Sequence, residues 1–322
     1  MSSGHTISKI ITPIHPLMDS FGLAFQHEFE KIQGQYQLTV QPSALFKGKR
    51  LRPILFFLCQ GMIDTPRPNS VNTAVMIELV HTASLLHDDV IDESHRRRGE
   101  KTLNAVLGNH FSVLMGDYLI ARMMTMGQEL KNGGMHVLSH AILTMTHAEI
   151  KQALCENTCM EEDVYMDIIR GKTGALFQAA TDLAASTVNA GKDVQLQLRK
   201  LGLQFGLSFQ IQDDILDYTG SSGTLGKPVH HDLLKGQFTL PVILAFEELS
   251  AEERMTLFQQ LGNNELSYKH FIGLVRNRGI EKTKNCLLKY SRQACNILQQ
   301  FPESPYRTAL ENLFQFNMER HQ

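Results

Sequence analysis

The stretch Val71-Asn72-Thr73-Ala74-Val75-Met76-Ile77-Glu78-Leu79-Val80-His81-Thr82-Ala83-Ser84-Leu85-Leu86-His87-Asp88-Asp89-Val90-Ile91-Asp92 decides the fold. Its apolar residues recur at Val71, Val75, Leu79, Leu86 and Val90, at intervals of four and seven. That is the period of an α-helix. Met76, Ile77, Val80 and Ala83 fill other faces, so the helix is apolar on more than one side. Helices of that kind sit in the centre of a large bundle. The run closes on Asp88-Asp89-x-x-Asp92, an acidic cluster at the end of an apolar helix.

Working outward, Phe111–Leu130, Met135–Leu154, Tyr165–Ala185 and Leu196–Tyr218 repeat the helical period. The breaks between them are short and turn-rich: Asp64–Ser70, Lys131–Gly134, Asn189–Lys192 and Gly220–Pro228. Alternating β-branched patterns are almost absent. The expected fold is all-α, a large antiparallel helix bundle. No linker or repeat divides the chain, so residues 1–322 are expected to form a single domain. The motif-bearing core spans about 45–245, and the more polar segments 246–322 read as outer helices of that domain.

Composition agrees with an ordinary globular protein: 322 residues, 43% apolar and 20% charged. The net charge of -2 gives no global attraction to nucleic acid or anionic lipid. Anion binding must therefore come from local basic clusters. The five cysteines are scattered and odd in number, which reads as free thiols in a reducing compartment. Met1–Lys9 is polar with no long apolar run behind it, and no transmembrane-length apolar run occurs. A cytoplasmic protein with no spanning segment is expected.

A second Asp-Asp-x-x-Asp, Asp213-Asp214-Ile215-Leu216-Asp217, also ends a long apolar pattern. With 14 Asp in 322 residues, chance predicts about 0.03 such patterns, so two are not a coincidence. Asp88 and Asp92 stand four residues apart, on one helix face. Two carboxylates about 6 Å apart repel by roughly 3 kcal/mol at an effective dielectric near 20. Hard oxygen ligands with unbalanced negative charge suit Mg²⁺ bridging to substrate phosphates. A solvated helix end is the plainer reading for one motif and a poor one for two.

Basic residues supply the complement. Gly48-Lys49-Arg50-Leu51-Arg52-Pro53 opens an apolar helix, and Arg96-Arg97-Arg98-Gly99 follows the first motif. Cations at a helix N-terminus run against the macrodipole unless an anion is bound. His81 lies two turns before Asp88 on nearly the same face. A lone His on an apolar helix is commonly a core residue; sharing a stripe with Asp88 argues for a ligand role.

These residues carry a resemblance. Gly48–Pro53, Glu78–Asp92, Arg97-Arg98-Gly99 with Thr102, Gly116–Leu119, Gly171-Lys172-Thr173, Phe209–Asp217, Leu225-Gly226-Lys227 and Thr239-Leu240-Pro241 look like the trans-type polyprenyl diphosphate synthases. The match runs in order through about 45–245. The resemblance implies an isoprenoid synthase fold and three Mg²⁺ per active site, held by Asp88, Asp92, Asp213 and Asp217. It puts Asp89 and Asp214 behind those ligands or as a third one. Arg97, Lys172 and Lys227 would clamp an allylic diphosphate. Lys49, Arg52, His81 and Arg98 would hold isopentenyl diphosphate. Thr173 and Gln210 would lie near the reacting carbons. It further implies a homodimer, or a heteromer with a small subunit, and peripheral membrane contact for product release.

The resemblance also places a product tunnel beside the first aspartate helix, with Val80, Ala83 and Ser84 as its floor. All three are small, so a product beyond C20 is expected, with a C20 synthase as the alternative. Met115, Met123, Met124 and Met126 are either a lower floor or plain core. Departures from the family pattern are Gln237 where a Lys is usual, His230-His231 where Gly is usual, and Lys101 where Pro is frequent. Gln237 resembles the catalytic subunits of two-component heptaprenyl diphosphate synthases. A class I terpene cyclase is disfavoured by the intact second Asp motif. A non-catalytic regulatory subunit is disfavoured because no motif aspartate is missing.

Overall fold

A computed structural model of the chain describes residues 6–36, 48–67, 69–155, 161–220, 233, 236–250, 252–254, 256–257 and 265–320. Its regular elements are almost all helical. The sequence periods held closely: the first aspartate helix runs Ser70–Ile91 with Asp92 as its C-cap, and the second runs Lys192–Thr219. Asn109–Gly127 and Gly134–Leu154 match the other expected helices within a few residues. Helix His15–Tyr36 was not singled out from the sequence.

Two local features were not anticipated. Arg96–Arg97 and Glu100–Lys101 pair as a two-stranded antiparallel hairpin. Its turn residues, Arg98 at φ 51 and Gly99 at φ 80, are both left-handed, as a tight two-residue hairpin requires. The segment expected as one helix, Tyr165–Ala185, is two: Glu162–Ile169 and Ala175–Thr187, joined by a π-helical turn at Arg170–Gly174. Such bulges insert a residue into the helical ladder and frequently mark functional sites.

The chain falls into two compact units, one of residues 1–142, 176–202 and 297–316, the other of 143–175, 203–296 and 317–322. In the first, helix Ser70–Ile91 packs along Asn109–Gly127 and against His15–Tyr36 and Leu51–Ile63. This explains its all-round apolar sequence: Val75, Leu79 and Leu86 share one face, Ile77 lies on nearly the opposite one, and each is fully buried. In the second, Tyr165, Ile169, Ile211, Ile215, Tyr218, Leu240, Phe271 and Val275 share one core. No helix among the described residues is long and apolar enough to cross a membrane. Cys59, Cys155, Cys286 and Cys295 are free thiols; Cys159 lies outside the described residues.

Candidate active site

Both aspartate motifs divide their carboxylates in the same way. On the first helix Asp89 is buried, while Asp88 and Asp92 are half-exposed. Arg97 binds Asp89 Oδ1 through Nε at 2.9 Å and Nη2 at 2.8 Å, and Asn104 donates to the Asp89 carbonyl at 3.1 Å. On the second helix Asp214 is buried, while Asp213 and Asp217 are half-exposed. The Tyr165 hydroxyl donates to Asp214 Oδ2, and Gln210 Nε2 donates to its Oδ1 at 2.9 Å. In each motif the middle aspartate is tied to protein. The first and fifth stand one turn apart on the more open face. That face offers only oxygen donors, which fits Mg²⁺ better than softer metals. Among the described residues no three His, Cys, Asp or Glu side chains gather into a metal cluster. Each motif therefore brings a pair of carboxylates, a number Mg²⁺ accepts because water and phosphate oxygens complete its shell.

The unit that holds Asp88 also gathers the basic residues. Arg50 is the left-handed N-cap of helix Leu51–Ile63. Its Nη1 lies 2.6 Å from Glu78 Oε1, and its guanidinium covers the Phe25 ring at 4.6 Å. Arg52 stacks on Phe177 at 4.4 Å, and Lys49 Nζ lies 5.3 Å from the Phe316 ring centre. Arg98 lies against Gly48 so closely that a Cβ there would sit 2.4 Å from its Nη1. Gly48 thus permits the approach of one basic segment to the other. Burial pushes the Arg52 guanidinium down to about 10, with Glu78 opposing the shift and Arg98 adding to it. Burial also lowers Arg98, with Arg97 and Arg50 contributing. Burial holds the His81 imidazole well below its ordinary value, and Arg52, Arg98, Arg50 and Arg97 press it further down. Four arginines around a neutral imidazole form a positive cluster suited to a polyanion. Arg50 and Phe25 were missed in the sequence; the motif Gly48–Pro53 contained Arg50, but nothing local distinguished it.

The unit that holds Asp213 builds a second cluster on the π-helical turn. Thr173 Oγ1 donates to Gln210 Oε1 at 2.8 Å. Lys172 Nζ lies 2.7 Å from Glu149 Oε2 and 3.2 Å from Gln152 Oε1. Arg320 Nη2 lies 2.8 Å from Asp213 Oδ1. Tyr165 and Arg320 are additions to the sequence reading. Tyr165 looked like one more apolar-face residue of a helix, and the last 75 or so residues carried no usable motif.

Among the residues expected to set product length, Val80 and Ala83 are closed into the core at 3% and 0% exposure. Ser84 is half-buried, its hydroxyl bonded to the His81 carbonyl at 2.8 Å. Met115 and Met123 are core, whereas Met124 is exposed. Lys227, His230 and His231 lie outside the described residues.

The sequence profile of the family described as Polyprenyl synthetase matches residues 36–273. The chain belongs to the polyprenyl synthetase family. It is 38% identical over 283 residues to the all-trans-nonaprenyl-diphosphate synthase (geranyl-diphosphate specific) of Rhodobacter capsulatus, covering 85% of this chain and 86% of that protein. It is 34% identical over 280 residues to the octaprenyl diphosphate synthase of Escherichia coli, covering 85% and 86%. The crystal structure of a decaprenyl diphosphate synthase from Rhodobacter capsulatus superposes with a TM-score of 0.87 at 30% identity, covering 98% of this chain and all of that one. A polyprenyl synthase from Caulobacter crescentus, complexed with calcium and isoprenyl diphosphate, superposes equally well at 29% identity, with both chains fully covered. The isoprenoid synthase fold expected from the motifs is therefore established, and the protein is a prenyltransferase of the synthetase family.

Proposed function

We propose that this prenyltransferase condenses isopentenyl diphosphate with an allylic diphosphate, head to tail and in the trans sense, releasing pyrophosphate. The product is a medium- or long-chain polyprenyl diphosphate of the kind used for quinone side chains. The observation that carries this reading is that each Asp motif buries its middle residue and leaves the first and fifth partly exposed. The arginine cluster around His81 supports it with positive charge suited to a diphosphate.

In this reading Asp88, Asp92, Asp213 and Asp217 hold the Mg²⁺ ions, three per site. Mg²⁺, when bound, neutralises the departing pyrophosphate and favours allylic C–O ionisation. Arg97, Lys172 and Lys227 help to bind the allylic diphosphate. Lys172 leaves its pairing with Glu149 to do so. Lys49, Arg52, His81 and Arg98 bind the isopentenyl diphosphate, and neutral His81 contributes a hydrogen bond rather than a charge. Thr173 and Gln210 lie near the reacting carbons, where their dipoles stabilise the allylic cation. The homoallylic double bond attacks that cation, and pyrophosphate accepts the proton then lost. Apolar surroundings keep out the water that would quench the cation.

The chain works as a single catalytic domain in the cytoplasm, reaching the membrane only to deliver product. It acts as a homodimer. Val113, Leu114 and Met124 on helix Asn109–Gly127 are exposed apolar residues that a partner copy would cover. Gln237 favours a second reading, in which a small partner subunit is needed for full activity.

The test is direct. The purified chain is supplied with farnesyl diphosphate, labelled isopentenyl diphosphate and Mg²⁺, and the products are sized. Elongation beyond C20, abolished by chelation, is the expected result. No product from the chain alone, restored by a second subunit, establishes the heteromeric reading. No product under either condition removes the elongation reading. Ser84→Phe is expected to shorten the product; an unchanged length removes Ser84 from the tunnel.

A further inference from the structure

We propose that Tyr165 is a positioning residue for the elongation chemistry: its hydroxyl holds in place the Asp214 carboxylate, which through Gln210 sets the direction of the Thr173 hydroxyl. The inference rests on the elongation reading above and deepens it. Four side chains form one unbroken line of hydrogen bonds. Tyr165 donates to Asp214 Oδ2. Gln210 Nε2 donates to Asp214 Oδ1 at 2.9 Å, and Thr173 Oγ1 donates to Gln210 Oε1 at 2.8 Å.

The polarity of this line follows from what each group can do. A carboxylate only accepts, so the Gln210 amide must turn its nitrogen toward Asp214. The amide oxygen is then left facing Thr173, and an amide oxygen only accepts as well. Thr173 has one proton and must give it to Gln210. Its oxygen lone pairs are left to face outward, the arrangement that stabilises positive charge. Each bond polarises the next in a poorly hydrated setting. Tyr165, Asp214 and Thr173 are all buried, so water does not substitute for a lost partner.

Two further observations support the assignment. Thr173 belongs to the π-helical turn Arg170–Gly174, which breaks an otherwise regular helix between Tyr165 and Thr173. The distortion sits between the two ends of the line, where side chains from one segment must meet both Asp214 and Gln210. Tyr165 is also 4% exposed and lies in the same core as Ile211 and Ile215. Packing fixes its ring, so its hydroxyl has little freedom to aim elsewhere. Removing that hydroxyl takes one hydrogen bond from Asp214 Oδ2. The carboxylate is then held less firmly against Gln210, the amide loses part of its fixed sense, and the Thr173 proton turns outward toward the cation in a larger share of molecules.

The experiment compares Tyr165→Phe, Asp214→Asn and the double variant with wild type, using farnesyl and isopentenyl diphosphates. Circular dichroism and thermal unfolding check the fold of each. Tyr165→Phe is expected to lower kcat between about 10-fold and 100-fold, the range of one buried hydrogen bond to a charged group. The KM for isopentenyl diphosphate is expected to stay within twofold. Asp214→Asn provides the same readout if Tyr165→Phe does not fold, because an Asn amide donates to Gln210 and reverses the line. The double variant is expected to be no slower than Asp214→Asn alone. A kcat for Tyr165→Phe within twofold of wild type overturns the proposal. So does a double variant whose loss is the product of the two single losses, because a packing role would add independently. Wild-type inactivity instead defeats the elongation reading, and the two failures are thereby distinguished.

Discussion

Arg320, near the C-terminus of the chain, places its Nη2 2.8 Å from Oδ1 of Asp213 in the second aspartate motif. The pair is held by more than charge. The guanidinium lies 4.2 Å over the Phe209 ring and donates to the Phe209 carbonyl at 3.1 Å. The Arg320 carbonyl accepts from Gln212 Nε2 at 2.9 Å. Arg320 therefore orients a carboxylate that the proposed function gives to a metal ion. Removing such outer partners costs about 10–100-fold in metal affinity or activity. Arg320→Gln is expected to raise the Mg²⁺ concentration for half-maximal activity by about 10-fold. The measurement is a Mg²⁺ titration of initial rates, paired with direct Mn²⁺ binding; an unchanged requirement in both removes Arg320 from the site.

The split within each motif separates two kinds of aspartate experimentally. Asp88→Asn and Asp92→Asn alter half-exposed carboxylates and are expected to abolish most activity while leaving the unfolding temperature near wild type. Asp89→Asn alters a buried one and is expected to lower both. Thermal unfolding measured beside turnover makes the comparison. Equal destabilisation by all three defeats the division.

Arg97 provides a related contrast. Its side chain is 17% exposed and its partner Asp89 is 4% exposed, so the pair is largely desolvated. Removing one partner of such a pair costs about 3–5 kcal/mol, because the other charge stays buried alone. Arg97→Ala is expected to lose stability in that range by denaturant unfolding. Arg97→Ala with Asp89→Leu is expected to recover part of it. No recovery means the pair is not the source of the loss.

His81 gives a pH signature. Burial and its four arginine neighbours hold its folded-state value below the ordinary one, near 6.5 in the unfolded chain. Between those two values the unfolded state binds more protons than the folded state. The contribution to stability is therefore fully present above about pH 6.5 and falls as pH drops below it. His81→Gln is expected to flatten this acid-side loss in unfolding temperatures measured from about pH 7.5 to 5.5. A bound polyanion offsets the arginines, so pyrophosphate binding near pH 6 is expected to draw in protons. Calorimetry in two buffers of different ionisation enthalpy measures that uptake, and zero uptake contradicts a diphosphate at His81.

Helix positions were legible in the sequence because a 3.6-residue apolar period is a local property. The helices read over Val71–Asp92 and Leu196–Tyr218 both appear within a few residues of where the pattern put them. The π-helical turn at Arg170–Gly174 was not legible, because inserting one residue into a helical ladder leaves the surrounding apolar spacing nearly helical. The hairpin at Arg96–Lys101 was hidden for a different reason. Two-residue strands have no alternation to detect, and their left-handed turn uses Arg98, which does not advertise it.

By itself the sequence determined the helical class, the two Asp-Asp-x-x-Asp ends and the basic segments around Lys49 and Arg97, since each depends on residues close together along the chain. Only the tertiary structure decided which aspartate in each motif is buried, and that Tyr165 and Arg320 belong with Asp214 and Asp213. Those outcomes depend on burial and on partners brought in from distant segments. A carboxylate's role follows from what surrounds it in space, and three identical letters in a motif are chemically alike until packing makes them different.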